Sequence, residues 1–122
     1  YWFDYVAEAE HETYLHGAWH GNEVVYVFDN LARAEPVCQY ASEADQAFAA
    51  QVADYWANFA RQAGNQCSEL TGPVRWPACQ RGRDRLLRIG LNKRAGFKVE
   101  NRFMRARLAL FRRVMKHHVT LD

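Results

Sequence analysis

At 122 residues the chain is the size of a single domain, and its 49% apolar and 14% aromatic content, with four Trp, six Tyr and seven Phe, is rich for that size. Sixteen basic against fourteen acidic residues leave a charge of +2, too slight an excess to argue nucleic-acid or membrane binding from total charge. The longest unbroken apolar run, Val24 to Phe28, falls far short of the ~20 residues of a membrane-spanning helix, and no signal peptide is visible; without an initiator Met, Tyr1 is expected to be an internal start.

Tyr1 to Val6 is aromatic and apolar with Asp4 interposed, and predicts a strand buried in a sheet that this chain does not complete alone. Glu8, Glu10, His11 and Glu12 form a polar connection to a loop containing Gly17, Trp19, His20 and Gly21. Two glycines that allow positive φ let the imidazole of His20 project from a tight tip rather than from a helix face. The contiguous run Val24 to Phe28 then fits either a short buried helical turn or a strand. Asn30 to Ala41, with Pro36, is a connector.

Ser42 with Asp45 is a capping box, after which Phe48, Val52, Tyr55, Trp56 and Phe59 recur on one face. Gly64 is a natural C-cap, so residues 42–63 are expected to form one helix of about 33 Å. A loop over 65–85 leads to a short strand, Leu86 to Ile89, and Gly90 to Phe97 is expected to be a connector. Glu100 to Met115 predicts a second helix with Phe103, Leu110, Phe111 and Val114 toward the core and Arg102, Arg105, Arg112 and Arg113 outward. Strand, histidine loop, long helix, strand and helix make the closing section of an α/β layered domain. Of the three cysteines, Cys38, Cys67 and Cys79, at most two can pair with each other. Cys67 and Cys79 bracket a turn-rich loop in which a local disulfide is one possibility.

The segment from Gly17 resembles the catalytic-histidine loop of the type-B carboxylesterases, the α/β-hydrolase branch of the para-nitrobenzyl esterases and cholinesterases. Gly17, His20, Gly21, Glu23, Val24, Tyr26, Val27 and Phe28 fall on that family's pattern. Tyr55-Trp56-Ala57-Asn58-Phe59-Ala60-Arg61 is similar to its Trp-x-Asn-Phe-Ala helix, and Trp76-Pro77-Ala78 to the Trp-Pro-x-Tyr turn that follows. Three blocks in the family's order are more specific than any one of them, and together they cover roughly residues 1 to 115. The departures are Cys79, where the family often has Tyr, and Gly64-Asn65 in place of a Gly-Asp-Pro-Asn turn.

The resemblance implies residues 1–122 as the C-terminal part of one α/β-hydrolase catalytic domain, completed by another polypeptide. The triad of these folds runs Ser, then Asp or Glu, then His along the chain. No Gly-x-Ser-x-Gly elbow occurs here, and Ser42 and Ser68 are the only serines. Serine, acid and oxyanion hole are therefore expected on a separate N-terminal part, with His20 as general base and the isolated chain inactive and poorly soluble. Glu23 is a candidate for a supporting hydrogen-bond network, Trp19 for a pocket wall, and Gly21 for the loop geometry. A small carboxylic ester is the implied substrate, with no cofactor, metal, nucleic acid or membrane span.

Two other chemistries compete. His11, His16 and His20 with Glu12 hint at a metal site, but these histidines are five apart and zincin ligands need the i, i+4 spacing. The arginines of residues 81–113, with Lys93 and Lys98, would instead serve a non-enzymatic nucleic-acid- or protein-binding module. Glu100 interrupts that stripe.

Overall fold

The structure is a computed structural model and describes residues 1–62 and 69–115. Strand β1 (Trp2–Tyr5) and strand β2 (Arg85–Asn101) form a two-stranded parallel sheet, and the helices α1 (Glu23–Val27) and α2 (Glu43–Arg61) lie between them in sequence. Parallel neighbours need a long crossover connection, usually helical, and α2 fills that role. This mixture of helix and parallel strand is consistent with a section of an α/β fold. Helix α3 (Arg105–Met115) follows β2.

The capping box forms as its sequence implies. Ser42 Oγ accepts from the Asp45 backbone N–H at 3.1 Å, and the Asp45 carboxylate accepts from the Ser42 backbone N–H at 2.8 Å. Behind it, Phe48, Ala49, Val52 and Tyr55 are buried and meet Tyr5, Tyr26, Leu31, Leu87 and Ile89 in one core. Trp56 is half-buried against that core and packs edge-on to Trp76, ring centres 5.9 Å apart. Phe59 lies on the same helical face yet is 64% exposed, because it belongs to the last turn of α2, beyond the end of the core. The Gly64 C-cap falls outside the described residues.

Three expectations are corrected. Gly90 to Phe97 is no connector: β2 runs unbroken for 17 residues from Arg85 to Asn101. Its pairing with β1 advances from Phe3 to Tyr5 on one strand and from Ile89 to Lys93 on the other, so β2 carries a bulge. Gly90, Asn92 and Lys93 absorb it with φ of 86°, 54° and 70°. Next, the second helix begins at Arg105, not Glu100, because Glu100 and Asn101 still belong to β2 and Arg102 and Met104 take positive φ between the two elements. Finally, the apolar residues of α3 do not face the core. Leu110, Phe111 and Val114 are exposed, and Phe103, which precedes the helix, is half-buried beside Trp2 at 5.2 Å. No other described element covers that face of α3. The first residues of the chain are likewise less buried than a central strand implies, with Tyr1 and Trp2 exposed.

Candidate functional site

The ambiguous run after the histidine is a helix: α1 occupies Glu23–Val27 and buries Tyr26. Just before it the chain makes a tight turn. The Asn22 N–H donates to Trp19 O at 3.2 Å, which puts His20 and Gly21 at the two central positions. Gly21 has φ of 84°, the value that the second central position of a type II turn requires and that glycine adopts without penalty. Gly17 opens the loop with φ of 110°. His20 therefore stands at the first corner of a glycine-dependent turn, with its side chain exposed. Among the described residues no partner side chain meets its imidazole.

Asn22 ties this turn to the sheet. It is the N-cap of α1, a position where asparagine ordinarily bonds back to the helix, yet it makes no such bond. Its side-chain amide instead donates to the backbone carbonyl of Tyr5 at 3.0 Å, at the end of β1. Asn22 is only 3% exposed. Tyr5 continues the chain of contacts, since its hydroxyl donates to the carboxylate of Asp45, itself 1% exposed and held by Ser42. The histidine turn, the end of β1 and the start of α2 are thus joined by buried hydrogen bonds. Burial, with the Asp45 contact second, pushes the Tyr5 phenol well above its ordinary value. Burial also raises Tyr26, whose hydroxyl is enclosed without a protein partner among the described residues.

The remaining sequence candidates lie close by in different settings. Glu23 begins α1 and is half-buried. It lines a cleft of about 530 Å³ with Tyr1, Val24, Val27, Phe28 and Trp56. Burial and then the Glu23 carboxylate raise the Tyr1 phenol. Trp19 is exposed beside Tyr14, ring centres 6.4 Å apart. A methyl group on Gly21 would approach the Trp19 ring at 3.7 Å, an ordinary contact, so φ alone demands glycine there.

The histidines do not converge. His11 Nε2 lies 2.9 Å from Val6 O, and His16 is exposed. Ser42 spends its hydroxyl within the cap, accepting from Asp45 N–H and donating to the Asp45 carboxylate. Ser68 and Cys67 fall outside the described residues, so the Cys67–Cys79 pairing does too. Cys38 is half-buried and Cys79 exposed. Sequence reasoning passed over Asn22 and Tyr5. The available signal was a buried-type amide directly after a positive-φ glycine, but its acceptor is a main-chain carbonyl, which no residue type reveals.

A model of the carboxylesterase family matches residues 1–111. The chain belongs to the carboxylesterase family. Its lineage is that of ester hydrolases, and the match spans β1, the histidine turn, α2, β2 and the start of α3. A comparison with curated proteins returns no match. No helix among the described residues is long and apolar enough to cross a membrane.

Proposed function

We propose that this chain is the histidine-bearing part of a type-B serine carboxylesterase, with His20 as the general base of a triad whose serine and acid lie on an N-terminal part carried by another polypeptide. The observation that carries the reading is the exposed His20 at the corner of a Gly21-dependent turn, in a chain of the carboxylesterase family. An imidazole of ordinary pKa near 6.5 can take a proton and return it at neutral pH. Held by buried bonds from behind and open in front, it is suited to meet a group on a second surface.

In the reaction, His20 takes the proton of the serine hydroxyl as its oxygen adds to the ester carbonyl carbon. The tetrahedral intermediate collapses to an acyl-enzyme, and His20 passes the proton to the departing alkoxide. Water then repeats the sequence, with His20 again as base, and releases the carboxylic acid and the serine. Backbone N–H groups of the other part stabilise the oxyanion. Glu23 supports the hydrogen-bond network behind the histidine, and Trp19 lines the pocket for a small ester. No cofactor or metal takes part.

The binding-module alternative draws on the arginines of α3, which are exposed. Membership of an ester-hydrolase family weighs against it. The test is a pair of substitutions in the assembled esterase. His20→Ala should lower kcat by several orders of magnitude, as triad removals do, with the folding midpoint nearly unmoved. His16→Ala, in the same loop, should keep most of the activity. Near-normal turnover in His20→Ala refutes the assignment.

A further inference from the structure

We infer that Asn22 is a positioning residue for catalysis, fixing where the His20 imidazole stands by bonding the histidine turn to the end of β1. The inference rests on the reading of His20 as general base. Its basis is geometric. The turn from Trp19 to Asn22 closes on itself through the Asn22 N–H, so anything that anchors Asn22 anchors the corner that carries His20. The anchor is the amide donated to Tyr5 O at 3.0 Å, across 17 residues of sequence, from a side chain 3% exposed. An asparagine at this position could have capped α1 and does not. Its amide is spent on the sheet instead.

Tyr5 is a firm point of attachment. Its ring packs on Phe48 and Tyr26, at 4.4 and 5.4 Å between centres, and its hydroxyl is fixed by Asp45. Without the amide bond, the turn would keep its own closure but could rock on the two glycines, Gly17 and Gly21, both at positive φ. A base that wanders by about 1 Å from its nucleophile loses up to about a hundredfold in rate. Substrate contacts made elsewhere are untouched.

The test uses the assembled esterase and counts active sites by the acylation burst with a para-nitrophenyl ester. Asn22→Ser shortens the side chain and removes the reach to Tyr5 O. Asn22→Asp keeps the shape but turns an acceptor toward a carbonyl. Both should lower kcat per active site by about 10- to 100-fold, with KM within about twofold of the parent. If Asn22→Asp does not fold, Asn22→Ser carries the test. A purely structural role would lower the folding midpoint or the fraction of active sites while leaving kcat per site intact, and that result overturns the proposal. So does a rise in KM at unchanged kcat. His20→Ala in parallel separates the two ideas: an inactive His20→Ala beside fully active Asn22 variants sinks only the role of Asn22, whereas an active His20→Ala sinks the role of His20.

Discussion

Gly90 shows how a single residue can be dictated by main-chain proximity. Its φ of 86° lies where side chains are rarely tolerated, and a methyl group added there would stand 2.4 Å from the backbone nitrogen of Tyr5. That contact occurs where β2 bulges against β1, on the residue whose carbonyl holds Asn22. Gly90→Ala should therefore destabilise the fold by about 3 kcal/mol or more, combining left-handed strain with overpacking. Gly82→Ala, with φ of 80° and nothing within 4 Å of the added methyl, isolates the strain contribution. Equal losses of stability in the two, by chemical denaturation, would show that the contact with Tyr5 is slack. At the histidine turn the same logic holds more gently, since Gly21 is required by φ and not by crowding.

Among the elements, those specified by local chemistry were legible and those specified by distant partners were not. The Ser42 and Asp45 cap and the helical recurrence of Phe48, Val52 and Tyr55 act within a few turns, and α2 forms as they imply. β1 is likewise written in its aromatic run. β2 was legible only as far as Ile89, because Gly90, Asn92 and Gly96 look like turn residues, whereas their unusual φ values accommodate a bulge within a continuing strand. The apolar positions of α3 are present as expected, but Phe111 is 61% exposed. A periodic pattern records that a face seeks cover; it does not name the covering element. The histidine site divides the same way. Glycines and histidine announce the loop, while Asn22 and Tyr5, joined through a carbonyl, are silent in sequence.

For the molecule as a whole, the buried phenols set a limit at high pH. Burial, then a hydrogen bond to Glu10, pushes Tyr40 up to about 12, and Tyr5 and Tyr26 are raised further by burial. The unfolded chain releases these protons at the ordinary value of 10.0 while the folded chain keeps them, so their contribution is complete below about pH 10 and is lost as pH rises through about 12. Tyrosinate absorbance and loss of helical circular dichroism should therefore rise together between about pH 10 and 12 for the buried phenols. Ionisation of all the tyrosines well before unfolding would contradict the burial described.

The wider organisation follows from the exposed faces. The first residues of β1 and the apolar side of α3 lack cover among the described residues, and Ser42 is engaged in a cap. The account makes the catalytic serine a property of another polypeptide. The most direct measurement is pre-steady-state hydrolysis of a para-nitrophenyl ester by the purified 122-residue chain, alone and after adding the serine-bearing part. The account predicts no burst from the chain alone, and, with the part added, a burst that disappears with His20→Ala. A burst from the chain alone would contradict it.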